Sequence, residues 1–139
     1  MFQLKPVLRP LTIAFFLTAG FQVSSQNPSS ILFQCDTSDQ PVICAALADA
    51  LREKSPNLAL MHVEATAPFA APTKGQVTIR YLEKTRDDAR LSGHLVWQDQ
   101  TGQQTQGPVL EFTVMDRNLE TANLAPYAHA LIKASDLPL

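Results

Sequence analysis

Apolar and polar residues alternate in five stretches of the chain. These stretches cover about 31–35, 58–66, 75–84, 90–99 and 107–116. Because consecutive side chains on a strand point to opposite faces, the alternation predicts five strands of a mostly antiparallel sheet with one face covered and the other in water. The expected inward residues of the last three strands are Val77, Ile79, Tyr81, Leu91, Leu95, Trp97, Leu110, Phe112 and Val114.

Two further segments show the apolar spacing of amphipathic helices. In 41–54, Ile43, Leu47 and Leu51 recur at i, i+4 and i+8, and Pro56 lies just beyond the point where this helix must end. The second helical repeat consists of Leu124, Tyr127, Ala128, Leu131 and Ile132. The resulting order β-α-β-β-β-β-α predicts an α+β domain, a two-layer sandwich with both helices on one face of the sheet.

The first 25 residues have the features of a cleavable export signal. Lys5 and Arg9 precede an apolar run over 11–21, and small residues follow it as far as Ser25. We expect cleavage after Ser25, with Gly20 as the second choice, which leaves one domain over 26–139. The alternative is an uncleaved membrane anchor, but the apolar run is short of the roughly 20 residues that span a bilayer.

Nothing after residue 25 is apolar for long enough to cross a membrane, so no transmembrane segment is expected in the mature chain. The expected location is the periplasm or the extracellular space. In such an oxidising compartment, Cys35 and Cys44 are expected to form a disulfide that ties the first strand to the first helix. Two buried free thiols and a redox-active pair are the alternatives.

The charge balance excludes one class of function. The 139 residues include 11 Lys and Arg against 13 Asp and Glu, and the formal net charge is −2. Without residues 1–25 the chain loses two basic residues and no acidic one, which leaves a net charge of −4. A general nucleic-acid binder needs a basic surface to neutralise phosphates, so nucleic acid is not an expected partner.

The candidate binding face lies on the expected outward side of the sheet. Its residues are His62, Glu64, Arg80, His94 and Glu111. If neighbouring strands pair in sequence order, Arg80, His94 and Glu111 lie close together, because strands are about 4.8 Å apart. His62 and Glu64 are residue types that bind metal ions. The alternative is an ordinary solvated face whose charge pairs contribute little.

A second candidate contact is Phe69, which stands in the loop 68–74 between Pro68 and Pro72. Binding residues are common on loops, so an exposed Phe here is a possible contact point for a partner. The alternative is a single exposed apolar residue without a function.

The chain contains no G-x-S-x-G or comparable nucleophile motif, so we expect no enzymatic activity and no cofactor. The first hypothesis is an exported, non-catalytic interaction protein, such as an accessory, assembly or chaperone-like factor, whose partner is another exported or envelope protein. One alternative is a small secreted metal- or ligand-binding protein or enzyme that uses His62, Glu64 and His94. Another is an exported hydrolase inhibitor. The oligomeric state is left open.

Overall fold

The computed structural model describes residues 28–35, 41–64, 68–115, 118–119 and 122–139. Its elements are β1 Ser30–Cys35, α1 Pro41–Lys54, β2 Ala59–Val63, β3 Gln76–Arg86, β4 Arg90–Gln98, β5 Gln104–Gln106, β6 Leu110–Thr113 and α2 Ala125–Ala134. The predicted α+β class and element order are confirmed, and β5 is an additional short strand. The predicted export signal over 1–25 lies outside the described residues. In the described part of the chain, no helix is long and apolar enough to cross a membrane.

The additional strand β5 lies between the predicted strands over 90–99 and 107–116, where the sequence predicts no strand. Its three residues, Gln104–Gln106, are polar and exposed, so no apolar alternation marks them. They pair with the end of β4 after a tight turn in which the Gly102 N–H donates to the Asp99 carbonyl over 3.1 Å. Gly102 has a φ of 81°, a conformation that residues with a side chain rarely adopt. The turn at Gly102 therefore reverses the chain and brings β5 alongside β4.

The strand order is β2-β1-β3-β4-β5, and β6 pairs with the other half of β4. β1 is parallel to both of its neighbours, whereas β4 is antiparallel to β3, β5 and β6. From β1 the chain passes through α1 to β2 on one side, and then crosses back over β1 to reach β3. Two parallel crossovers in opposite directions lie on opposite faces of a sheet when both have the same handedness.

The described part of the second crossover lies on the face opposite the helices. The segment over 68–70 covers the side chains of Gln34 and Thr78, both of which are fully buried on that face. Gln34 donates to the Pro68 carbonyl and accepts the Ala70 N–H, each over 3.2 Å. Thr78 donates to the Ala70 carbonyl over 2.6 Å. One half of the sheet face opposite the helices is therefore covered by the chain itself.

The hydrophobic core lies between the sheet and the two helices. The predicted helix residues are buried, and so are the predicted inward residues of β3 and β4. Leu110, Phe112 and Val114 are only partly buried, although they pack against the core. Because β6 is a short strand at the edge of the sheet, its inward side chains keep contact with water.

The predicted disulfide is confirmed. Cys35 and Cys44 are bonded, and their Cα atoms are 5.7 Å apart. Cys35 is the last residue of β1 and Cys44 lies in the first turn of α1. The bridge therefore fastens the start of the helix to the end of the central parallel strand.

Candidate functional site

We call the face of the sheet opposite the helices the outward face. Arg80, His94 and Glu111 all lie on it, as predicted, but they do not form one row. In the register of β3, β4 and β6, Arg80 is opposite Val96, His94 is opposite Leu82, and Glu111 is opposite Ser92. The nearest ionic partner of Glu111 is Arg90, with 3.9 Å between Nε and Oε1. The charged contact on this face is therefore made by a residue outside the predicted set.

The predicted position of His62 on the outward face is wrong. His62 is in register with the buried Phe33, and the two rings meet edge to face with centroids 5.8 Å apart. His62 thus lies on the helix face, at the edge strand β2. Glu64 follows the end of β2 and is exposed. Both are separated from β4 by the strands β1 and β3.

The error has a physical cause. Both sides of β2 carry apolar residues, with Leu60 on one side and Met61 on the other. Because strand side chains have a period of two, choosing the wrong side moves every residue to the opposite face. The parallel pairing with β1, which no pattern within β2 reveals, settles which side packs on the helices. Across the described residues, no group of three His, Cys, Asp or Glu side chains is arranged to hold a metal ion.

His94 lies where β4 changes its pairing partner. Val96 pairs with Gln106 of β5, and Gly93 pairs with Leu110 of β6, so the connection between these strands passes beside His94. The Gln106 amide is 2.7 Å from His94 Nε2. If this amide donates, the ring proton is on Nδ1, which is buried and has no hydrogen-bond partner among the described residues.

The environment of His94 favours its neutral form. Burial and, to a lesser extent, the nearby Lys84 ammonium lower the pKa of His94 below its ordinary value. The ring is therefore uncharged at neutral pH and adds no positive charge to this face.

A second polar cluster, which the sequence does not reveal, lies at one end of the sheet on the helix face. Arg86 Nε and Glu83 Oε1 form a largely buried ion pair at 2.7 Å. The Tyr127 hydroxyl donates to the Leu110 carbonyl over 3.1 Å. Tyr81 is fully buried, and its hydroxyl has no well-formed hydrogen bond to any residue that the structure describes. An inward-facing Tyr81 two residues before Glu83 was the only sequence feature that could have indicated this cluster.

Both tyrosines of this cluster are held in their protonated form. Burial is the main cause that raises the pKa of Tyr81 and of Tyr127, and the neighbouring Tyr127 raises that of Tyr81 further. A phenol that stays protonated does not act as a base or a nucleophile at neutral pH. Both hydroxyls are therefore uncharged at neutral pH, and the cluster is a buried polar contact.

Phe69 is partly buried, not fully exposed as expected for a free contact point. Its neighbours Pro68 and Ala70 are hydrogen-bonded to Gln34, which anchors this part of the loop to the outward face.

Over β4 and β6, by contrast, exposed side chains remain: those of Arg90 and Glu111 are 61% and 57% exposed. We call Arg80, Arg90, His94 and Glu111 the outward patch.

Comparison with known proteins adds no functional information. No protein-family model matches the chain, and neither a curated protein nor a solved structure matches it. Any assignment of function therefore has to rest on the residues and their arrangement.

Proposed function

We propose that the protein is an exported, non-catalytic interaction protein that binds another exported or envelope protein through the outward patch. The observation that carries this proposal is the unequal covering of the outward face. The loop segment over 68–70 packs on β1 and β3 through Gln34 and Thr78. Within the outward patch, Arg90 of β4 and Glu111 of β6 have charged side chains that are more than half exposed.

The chemistry of the outward patch suits recognition of a protein surface. Arg90 and Glu111 are of opposite sign, and at 3.9 Å and with high exposure their pairing contributes only a few tenths of a kcal/mol. A partner that offers its own charges can replace this weak contact at little cost. The strands hold the backbone of both residues in place, so little conformational freedom of the backbone is lost on binding.

The export part of the proposal is supported by two independent features. The first is the apolar run behind Lys5 and Arg9, and the second is the Cys35–Cys44 disulfide, which is typical of oxidising compartments. Mass spectrometry of the protein purified from its host tests this part. The expected mature chain begins at Gln26 and has both cysteines oxidised. A chain that still begins at Met1 would overturn it.

The binding part is tested by crosslinking in the cell, at native expression, followed by mass spectrometry of the attached protein. The two test variants are Arg90→Glu and Glu111→Arg. The matched control exchanges another exposed pair, Asp49→Arg with Arg52→Glu, on α1 in the opposite layer of the domain. Circular dichroism checks that all three proteins are folded.

The expected result is an exported partner that is captured by the wild type and by the α1 control, and at least fivefold less by each patch variant. Equal capture by all four proteins would show that the outward patch is not the binding surface. A wild type that captures no exported protein would overturn the proposed function itself.

A further inference from the structure

β2 is an open edge of the sheet. It stands at the end of the strand order, and no strand in the described part of the chain pairs with its outer side. Natural edge strands are usually protected by a charged residue, a proline or a bulge. β2 has the sequence Ala-Leu-Met-His-Val and pairs with β1 without a register shift, so none of these protections is present. Its Met61 side chain is 42% exposed.

The hydrogen bonds of β2 show which backbone groups remain available. The Ala59 N–H donates to the Ser29 carbonyl over 3.3 Å, so Ala59 turns its backbone groups toward β1. In a strand, the N–H and C=O of one residue point to the same side, and those of the next residue point to the other. Leu60 and His62 therefore present two donors and two acceptors at the open edge, placed symmetrically about Met61.

We propose that this edge pairs with β2 of a second copy, antiparallel, across a two-fold axis at Met61. In this register Leu60 lies opposite His62 of the second copy, and the two residues exchange both of their hydrogen bonds. The same pair occurs twice, so all four free groups are used. Ala59 lies opposite Val63, and all five residues of the strand have a partner.

If the register is shifted by two residues in either direction, the five residues of β2 no longer all pair with one another. Only three residues of each five-residue strand then remain opposite one another. In one of these registers Leu60 lies opposite Leu60 of the second copy, and His62 pairs with Leu58. In the other, His62 lies opposite His62, and Leu60 pairs with Glu64. Leu58 and Glu64 lie beyond the ends of β2. Leu58 already uses its N–H in a bond to the Ser55 carbonyl. The register centred on Met61 is therefore the favoured one.

The side chains also fit a second copy. Met61 faces Met61 on the outward side, where each covers apolar surface of the other. Glu64 does not meet its own copy, because it lies opposite Leu58, which borders the same groove as Lys54. Both Glu64 and Lys54 are exposed. The even-numbered residues of β2 point to the helix face, which is the face on which α1 lies. Opposite charges thus approach each other at both ends of the paired strands.

Disulfide trapping tests this register directly. In a non-hydrogen-bonded antiparallel pair the Cα atoms are about 4.5 Å apart, which lies within the range that a disulfide spans. Mild oxidation of the folded Met61→Cys protein, with Cys35–Cys44 already bonded, is therefore expected to give a covalent dimer. The matched control is Ala59→Cys, which changes an exposed residue on the same side of β2.

In the proposed register, residue 59 of one copy lies four residues, or about 13 Å, from residue 59 of the other copy. Two cysteines at position 59 are therefore too far apart to form a disulfide. Ala59→Cys alone is expected to give at least tenfold less covalent dimer than Met61→Cys. An equimolar mixture of Ala59→Cys and Val63→Cys is expected to give the mixed dimer. Equal yields from Met61→Cys and Ala59→Cys, or no dimer from any of them, would overturn the proposed register.

Sedimentation of the protein as purified from its host supplies the second measurement. We expect a monomer–dimer equilibrium for the wild type, monomers for Met61→Lys and for Met61→Asp, and recovery of the dimer when these two variants are mixed at low ionic strength. Met115→Lys, at an exposed methionine away from β2, is expected to dimerise like the wild type. A wild type that is monomeric at all concentrations would overturn the proposal. So would a Met61→Cys protein that crosslinks in cells to a different protein.

Discussion

Gly93 stands directly over the hydroxyl of Tyr81. A Cβ atom built on Gly93 would lie 2.6 Å from Tyr81 Oη and 2.7 Å from the Leu82 carbonyl oxygen. Gly93 does not have the positive φ that Gly75 and Gly102 have, so its backbone conformation does not require glycine. The requirement comes from packing: the buried Tyr81 fills the space that a side chain on β4 would occupy.

The first prediction follows from this contact. In a strand, Gly→Ala normally stabilises by about 0.5–1 kcal/mol, because the unfolded chain loses freedom. At Gly93 the added methyl group overlaps a buried ring and a backbone oxygen, so Gly93→Ala is expected to destabilise by about 1–3 kcal/mol. Urea unfolding followed by tryptophan fluorescence measures the change. A stabilised Gly93→Ala protein would contradict the observed packing.

Tyr81→Phe provides the control for that measurement, because it removes the atom nearest to the added methyl group. The contact with the Leu82 carbonyl remains, so the rescue is expected to be partial. In a double-mutant cycle, Gly93→Ala should cost less in the Tyr81→Phe background than in the wild type. Equal costs in both backgrounds would place the strain elsewhere.

The second prediction concerns the ionisation of the phenols. The chain has two tyrosines, Tyr81 and Tyr127, and burial raises the pKa of each above the ordinary value of 10.0. The unfolded chain releases these protons near pH 10, whereas the folded protein keeps them, so stability is present below pH 10 and decreases as pH rises above it. Tyrosinate absorbance near 295 nm is therefore expected to appear together with alkaline unfolding. Ionisation near pH 10 in a folded protein would contradict this.

The third prediction concerns His94. Its pKa is lowered first by burial and second by Lys84. Because the folded protein holds the proton less tightly than the unfolded chain, the contribution of His94 to stability is present above pH 6.5 and is lost as pH falls through the lowered pKa. Nuclear magnetic resonance of the imidazole protons should show His94 titrating below the ordinary value. Lys84→Gln should raise its pKa partway back, and a His94 that titrates at or above pH 6.5 would refute this account.

The elements that could be predicted are those with a local apolar periodicity, whereas those that depend on long-range pairing could not be predicted. The helices and the inward residues of β3 and β4 follow from local periodicity, because each element has one clearly apolar side. β5 has no apolar residue and exists because of the turn at Gly102 and the free edge of β4. The parallel pairing of β1 with both neighbours likewise depends on long-range topology, which periodicity does not encode.

The candidate site was partly predictable for the same reason. Arg80, His94 and Glu111 alternate with apolar core residues, which places them on the outward face. His62 lies in a strand that is apolar on both sides, so its face depends on the pairing with Phe33. The role of Gln34 as an anchor for a loop over 30 residues away was not visible from the sequence either. From the sequence alone, a Gln on a strand is expected to face solvent. Only the position of the segment over 68–70 shows that Gln34 is buried.

The fourth prediction concerns the disulfide. Cys35 and Cys44 are nine residues apart, and a closed loop of this length lowers the entropy of the unfolded chain by an amount that corresponds to about 2.5 kcal/mol. The variant with Cys35→Ala and Cys44→Ala is expected to lose about that much stability. Urea unfolding of this variant, beside the wild type with and without reductant, measures the loss. A variant as stable as the oxidised wild type would contradict it.

The fifth prediction concerns Gln34, which anchors the loop over the outward face. Its side chain is fully buried and bonds the Pro68 carbonyl and the Ala70 N–H. Gln34→Met keeps a similar shape but leaves both backbone groups without this partner, so it is expected to destabilise by about 1–3 kcal/mol. The Ala70 amide should also exchange its hydrogen at least tenfold faster, because its acceptor is lost.

Gln98→Met is the matched control, because Gln98 makes one exposed bond, to the Gly102 carbonyl over 3.2 Å. Its loss is expected to change stability by less than about 0.5 kcal/mol and to leave the exchange of the Ala70 amide unchanged. If Gln34→Met also left that exchange unchanged, the segment over 68–70 would be held by something other than Gln34. The covered half of the outward face would then need a different explanation.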